Sequence, residues 1–198
     1  MNKFIIKVDK PINDTIKTEG GLELYIDTKF NEFEHRVIDG EVVSPPLKMK
    51  TEVKEGDTLY FHHLVVIEGG QPIPWMNQEG EGEKYYHVNV DKDNTISNQA
   101  FAYKCQDTGE IHPLFGWCLL EYTEEKGEHD DSFIEVVSTK ERLPRKGMIS
   151  FDSQPLKQLG VKKGDIVGFA RNMDYRVEID EKEYYRVRTE DLLYVEEA

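Results

Sequence analysis

Residues 53–61 read Val-Lys-Glu-Gly-Asp-Thr-Leu-Tyr-Phe, and residues 161–169 read Val-Lys-Lys-Gly-Asp-Ile-Val-Gly-Phe. The shared Gly-Asp step predicts a tight turn, because Gly56 supplies a positive φ and Asp57 can accept hydrogen bonds from nearby backbone amides. The apolar residues that follow predict a buried strand over residues 58–66. One turn-and-strand unit therefore occurs twice in the chain.

Two further segments are repeated around these copies, in the same order. Residues 36–43 and 145–149 precede the copies, and the motif Tyr-Tyr-x-Val follows them at residues 85–88 and 184–187. Three repeated elements in one order indicate the tandem duplication of a module of about a hundred residues. The predicted domains are residues 1–107 and residues 108–198.

Apolar residues occur in short runs rich in valine, isoleucine, tyrosine and phenylalanine, which is typical of strands. The other predicted strands are residues 4–8, 22–27, 37–43, 85–90, 99–104, 117–122, 147–151, 166–169, 175–179, 184–187 and 192–195, and residues 133–137 are either a strand or an apolar tip. We expect residues 85–90 and 99–104 to form a hairpin. Glycine and proline predict no regular structure over residues 67–84. The best helix candidate is residues 153–159, which Gly160 ends. The sequence predicts an all-β protein of two small barrels.

The charge balance is acidic, with 39 Asp and Glu against 25 Lys and Arg and a formal net charge of −14. This argues against nucleic acid as a main partner, because phosphate binding depends on a basic surface. Cys105 and Cys118 are too few for a disulfide framework, so we expect two reduced, buried thiols. No apolar run approaches the ~20 residues of a membrane helix, and residues 1–9 do not resemble a secretory signal. We expect a cytoplasmic protein, in a cell or in a virus-infected host cell.

Residues 161–169 resemble the V-K-x-G-D-x-V-x-F segment of the GroES co-chaperonins. Residues 111–114, Ile-His-Pro-Leu, are similar to the I-R-P-L opening of that family, so we expect the second repeat to begin there. Residues 183–198 resemble the terminal strand and its close, and residues 19–24 resemble the glycine-led tip of the mobile loop. The resemblance implies two tandem GroES-like, partly open β-barrels with long loops.

Members of this family form rings that cap a chaperonin cylinder, and each loop tip lays an apolar tripeptide into a groove of the chaperonin. The resemblance implies mobile loops over residues 10–33 and 123–142, and roof hairpins over residues 68–84 and 171–176. The implied partner-binding residues are Leu22, Glu23, Leu24, Phe133, Ile134 and Val136. Trp75 and Met76 form a large apolar pair in a polar loop, which indicates either an interaction tip or a loop packed back on its own barrel. Tyr175, in the second implied roof hairpin, is the third candidate interaction residue. The implied partner is a chaperonin ring or another large protein assembly, and the chain itself is expected to form a homo-oligomer.

The chain departs from the family pattern in three places. Glu23 stands where the family has an aliphatic residue, and burying its carboxylate in an apolar groove would be costly unless it faced outwards. The second repeat has no Gly-Gly before its tip. A seven-fold ring cannot be built from whole chains that each carry two modules. The alternation over residues 22–27 would also suit a fixed strand, so a structural protein with this fold, such as a virion component, is the alternative function.

The residues that catalysis or metal binding would need are not grouped in the sequence. His62 and His63 would point to opposite faces of a strand and cannot chelate one metal together. Neither Cys-x-x-Cys nor His-Glu-x-x-His occurs. Residues 91–94 resemble a calcium loop but lack its glycine and terminal glutamate, so a hairpin turn is the better interpretation. We expect a protein that is not an enzyme and carries no metal or cofactor.

Overall fold

A computed structural model of the protein describes residues 2–10, 15–17, 20, 22–25, 36–67, 71–77, 84–91, 97–122, 145–151 and 153–196. The chain divides into two compact units, Met1–Leu114 and Phe115–Ala198. The predicted all-β class is confirmed. In the described residues the one α-helix has five residues, and the other regular elements are strands and short 3-10 turns.

The described residues of the first unit form nine strands. They are β1 (Asn2–Val8), β2 (Thr15–Lys17), β3 (Glu23–Tyr25), β4 (Asp39–Ser44), β5 (Thr58–Phe61), β6 (Gln71–Pro72), β7 (Lys84–Val90), β8 (Ala100–Lys104) and β9 (Ile111–Pro113). Seven of them form an antiparallel sheet in the order β6-β7-β1-β4-β5-β8-β9, and β2 pairs only with β3. Alternate residues of β1 are buried, so Phe4, Ile6 and Val8 contribute one face to the core.

In the part of the second unit that the structure describes there are six strands and one helix. They are β10 (Trp117–Tyr122), β11 (Arg145–Phe151), α1 (Gln154–Gln158), β12 (Ile166–Phe169), β13 (Tyr175–Ile179), β14 (Lys182–Arg188) and β15 (Leu192–Glu196). The strands form an antiparallel sheet in the order β13-β14-β10-β11-β12-β15. The helix places Leu156 in the core, and Gly160 follows it with φ of 81°. Glycine is favoured at such a helix end because it has no Cβ.

The two larger sheets correspond strand by strand. If β6, β7, β1, β4, β5 and β8 are matched with β13, β14, β10, β11, β12 and β15, the strand orders are the same, and among the described strands of the two sheets only β9 has no counterpart. Irregularities match too. The pairing of β1 with β4 shifts register between Ile5 and Ile6, and the pairing of β10 with β11 shifts between Leu119 and Leu120. Register shifts at equivalent positions support the predicted duplication, because bulges are specific features of a strand pair.

The two Gly-Asp corners have the same hydrogen bonds. The Asp57 carboxylate accepts a bond from the Lys54 amide at 2.7 Å, and the Asp165 carboxylate accepts one from the Lys162 amide at 2.9 Å. Gly56 donates to Val42 and Gly164 donates to Ile149, both at 2.8 Å. The φ angles of these glycines are 89° and 95°. The predicted turn chemistry therefore forms in both copies, and it ties each corner to the neighbouring strand.

Neither larger sheet closes on itself in the described part of the chain. One sheet ends at β6 and β9, and the other ends at β13 and β15. This agrees with the expected partly open barrel. Among the described residues no helix is long and apolar enough to cross a membrane.

Three local predictions differ from the structure. The predicted hairpin of residues 85–90 and 99–104 does not form, because β7 pairs with β1 and β6, whereas β8 pairs with β5 and β9. Residues 71–72, predicted to be irregular, form the short edge strand β6, where Pro72 is tolerated because an edge strand need not donate every hydrogen bond. The predicted strand over 133–137 lies outside the described residues.

The strand predicted over residues 58–66 stops at Phe61. His62 then accepts a hydrogen bond through Nδ1 from the Leu64 amide at 3.2 Å, and a 3-10 turn follows at His63–Val65. The interpretation that the two histidines point to opposite faces of a strand is therefore wrong. Their rings stack with centroids 4.5 Å apart.

Residues 111–113, which the resemblance places at the start of the second repeat, form β9 and pair with β8 in the first sheet. The boundary predicted between residues 107 and 108 lies in the turn between these two strands, and as a domain boundary it stays a prediction.

Candidate functional site

The strongest candidate for a binding surface is the hairpin of β2 and β3. Its register sets Thr15 opposite Tyr25, Ile16 opposite Leu24 and Lys17 opposite Glu23. In the described residues this hairpin forms a two-stranded sheet of its own, outside the seven-stranded sheet. A hairpin of two strands is at best marginally stable in water by itself. It is therefore an element whose order a partner can increase.

Apolar side chains on this hairpin face water. Leu22 is 63% exposed, Leu24 is 47% exposed and Tyr25 is 83% exposed. Leu22 directly precedes β3, and within the strand Leu24 and Tyr25 point to opposite sides because side chains alternate. The alternation that also suited a fixed, half-buried strand therefore does not bury these leucines. Glu23 lies between them, opposite Lys17 in the register.

The predicted tip of the second repeat lies outside the described residues. Phe133, Ile134 and Val136 all belong to residues 123–144, so their role as a second docking tip stays a prediction.

Trp75 is a second exposed apolar group, on a turn that the rest of the unit holds in place. Ile73 is fully buried and donates to the Tyr85 carbonyl at 3.1 Å. The Asn77 side chain bonds both backbone groups of Tyr85, at 3.1 and 2.7 Å. Trp75 is 77% exposed on this turn, whereas Met76 is half-buried. The predicted pair therefore consists of one exposed ring and one side chain that packs against its own unit.

Tyr175 has a different environment from that expected of a loop tip. It is the first residue of β13, and its ring lies 4.5 Å from the Arg186 guanidinium carbon. The same guanidinium lies 5.2 Å from the Trp117 ring, and Arg188 lies 5.4 Å from that ring. Burial lowers the pKa of Arg186 to about 10. This aromatic-arginine stack was missed at the level of sequence, because its members lie on three separate strands.

The two thiols are not equally buried. Cys118 is fully buried, and burial raises the pKa of its thiol to about 12. Cys105 is only partly buried, so the expectation of two buried thiols is wrong for it. Hydrogen bonds from the backbone and side chain of Thr108 lower the pKa of the Cys105 thiol. Both cysteines are free.

In the residues that the structure describes, no group of three or more His, Cys, Asp or Glu side chains could hold a metal ion. The described residues of the first unit form a sheet scaffold, and exposed apolar side chains lie on β3 and on the turn at Trp75. Such a surface can bind a protein partner by burying apolar area.

Comparison with known proteins gives one informative match. The co-chaperonin GroES of Aquifex aeolicus (strain VF5) is 32% identical to this chain over 95 residues, a match that covers 44% of this chain and 78% of the relative. No family model matches the chain. The match spans less than half of this chain, which is the extent expected if one of two similar modules aligns with a single-module relative.

Proposed function

Because the chain belongs to the GroES co-chaperonin family, we propose that it acts as a tandem co-chaperonin. In this proposal it is a non-enzymatic binding protein that docks on a chaperonin ring through its loop tips and assists protein folding. The observation that carries the proposal is the pair of exposed leucines, Leu22 and Leu24, on a hairpin outside the large sheet.

Leu22 and Leu24 would stabilise a docked complex because binding would bury their exposed side chains. Full burial of a leucine contributes about 1.5–3 kcal/mol relative to exposure, and both side chains are about half exposed or more in the free chain. Ordering a marginal hairpin opposes this gain, so each tip binds weakly. Two or more tips on one assembly compensate, because the second contact becomes intramolecular.

Glu23 can be accommodated in this mode of docking. If residues 22–24 dock as an extended segment, alternation puts the two leucines on one side and position 23 on the other. A partner groove that takes Leu22 and Leu24 therefore need not bury the carboxylate. We propose the same role for Phe133, Ile134 and Val136 in the second repeat.

We propose that Trp75 makes a separate contact near the roof of the first module. A tryptophan buries about 150–250 Å² on docking, and the hydrogen bonds from Asn77 hold its turn without the need for a partner. Tyr175 and Met76 support their own units by packing, and in this proposal they contact a partner only at the margin.

The proposal is tested by pull-down of the full chain with a purified chaperonin in the presence of ATP. We expect wild-type chain to be retained, and we expect the variant Leu22→Ser, Leu24→Ser, Ile134→Ser to be lost. Leu47→Ser is the matched control, because Leu47 is 99% exposed in the same unit and lies outside the hairpin. Its retention should equal that of the wild type.

Two outcomes would count against the proposal. If wild-type chain is not retained, the co-chaperonin function is wrong and a structural role in another assembly is favoured. If the triple variant is retained as well as the wild type, the docking residues are wrong.

A further inference from the structure

His87 of β7 has one ring nitrogen that is shielded from solvent. The side chain is half-buried, but its Nδ1 atom is buried and has no hydrogen-bond partner in the part of the chain that the structure describes. A neutral imidazole leaves one nitrogen without a hydrogen, whereas an imidazolium carries a hydrogen on both nitrogens. Protonation of His87 would therefore bury a charged donor to which the described residues offer no acceptor, and this is costly.

The charged neighbours of His87 also disfavour its protonation. Lys3 and Lys7 of β1 lie diagonally across from it in the register, on the face of the sheet that points away from the core. Lys7 is paired with Glu41 of β4 at 3.1 Å, and Tyr85 is the titratable neighbour on β7 itself. The strand β6 consists of a glutamine and a proline, so it adds no titratable group. Burial, and then the charge of Lys3, lowers the pKa of His87 below its ordinary value of 6.5.

The strand on the other side of His87 is weakly attached. The strand β6 pairs with β7 at two positions, Gln71 with His87 and Pro72 with Tyr86, whereas β1 pairs with β7 over seven residues and contributes to the core. Local opening starts in elements with few contacts. Water therefore reaches the ring of His87 at the lowest cost if the edge strand β6 separates from β7.

The turn that carries Trp75 continues directly from β6. It is held to β7 by the bond from the Ile73 amide to the Tyr85 carbonyl and by the bonds between the Asn77 side chain and the backbone of Tyr85. These bonds lie two residues from His87 along β7. Separation of β6 at His87 would therefore extend to the turn and release Trp75 from its fixed position.

We propose that His87 is an acid-sensitive latch, which holds β6 and the turn at Trp75 on β7 while its imidazole is neutral and lets them detach when it is protonated. The stabilisation is fully present above pH 6.5 and is lost as the pH falls below this value towards the lowered pKa of the closed state. A partner that buries Trp75 would lose a preformed contact in an acid environment. The latch itself does not depend on chaperonin binding, so it is measured on the free chain.

The test follows amide hydrogen exchange of the full chain by NMR, with each rate expressed as a protection factor relative to the intrinsic rate at the same pH. The protection of the Ile73 amide should fall between about pH 7.5 and about pH 5. The Phe61 amide, which donates to Ile38 at 2.7 Å in the same unit, should keep its protection. In His87→Gln the protection of Ile73 should be the same at both pH values, because no ring titrates. Lys3→Gln should reduce the fall without abolishing it.

His112→Gln is the matched control, since His112 is a partly exposed histidine of the same unit on β9, at the opposite edge of the sheet from β6. Its Ile73 protection should fall as in the wild type. The proposal is overturned by constant Ile73 protection in the wild type, by an equal fall in His87→Gln, or by an equal fall at Phe61. A further measurement needs no variant: the wild-type His87 ring should titrate below pH 6.5, and a ring that titrates at or above this value would also overturn the proposal.

Discussion

At the scale of single residues, the two Gly-Asp corners have the same backbone conformation but different neighbouring side chains. Both glycines have φ near 90°, a conformation that costs an L-residue with a side chain about 1–2 kcal/mol. A Cβ at Gly164 would meet nothing within 4 Å, whereas a Cβ at Gly56 would collide with the Gln106 side chain. Both positions therefore need a positive φ, but only Gly164 has room for a Cβ atom.

We predict that Gly164→Ala lowers the free energy of unfolding by about 1–2 kcal/mol, from backbone strain alone. Gly56→Ala should cost slightly more, because the end of the Gln106 side chain must also move away from the new Cβ atom. Urea unfolding followed by circular dichroism measures both effects. Two variants as stable as the wild type would show that these corners do not need the positive φ.

The sequence did not predict the environments of Cys105 and Arg186, whereas it partly predicted that of Trp75. A cysteine in a predicted β module is usually buried, but Cys105 lies at the turn after β8 and is only partly covered. The arginine-aromatic stack depends on which strands become neighbours. By contrast, glycine and proline around Trp75 did predict a loop, and its exposure follows from Ile73 and Asn77 holding that loop.

At the scale of elements, one cross-strand pair has its large and small side chains on opposite strands in the two modules. Tyr60 of β5 faces Ala102 of β8, whereas Gly168 of β12 faces Tyr194 of β15. The large ring comes from the inner strand in the first unit and from the edge strand in the second. A Cβ at Gly168 would collide with the Tyr194 ring, so any side chain at this position would force the ring to move.

We predict that Gly168→Ala destabilises the second unit by about 1–3 kcal/mol through overpacking against Tyr194. In the Tyr194→Ala background the same substitution should cost clearly less, because the ring that it meets is gone. A double-mutant cycle of urea unfolding measures this coupling between the two positions. Equal losses in the two backgrounds would contradict the packing explanation.

Most strands were predictable because their signals are local. Residues 117–122, 166–169 and 175–179 form strands with the predicted bounds, since each is a short apolar or alternating run between turn residues. Strand partners were less predictable. The strands β7 and β8 are neighbours in sequence, yet β7 buries Tyr86, Val88 and Val90 beside β1, a pairing between distant segments that no local pattern encodes.

At the scale of the whole molecule, duplication has left two modules that are alike in scaffold and unlike at one edge. The seventh strand of the first sheet, β9, covers β8, whereas β15 ends the second sheet with apolar residues exposed. The repeated sequence motifs predicted the shared scaffold. They could not predict this asymmetry, because a local motif does not encode which strand pairs at a sheet edge, and the described residues contain no strand beyond β15.

The central claim about the whole molecule is that this chain acts as the lid of a chaperonin. The most direct measurement is the yield of an aggregation-prone client refolded by a purified chaperonin with ATP, with this chain as the sole co-chaperonin. We predict a yield above that of chaperonin and ATP alone, which the variant Leu22→Ser, Leu24→Ser, Ile134→Ser fails to produce. An unchanged yield with wild-type chain present at saturating concentration would contradict the claim.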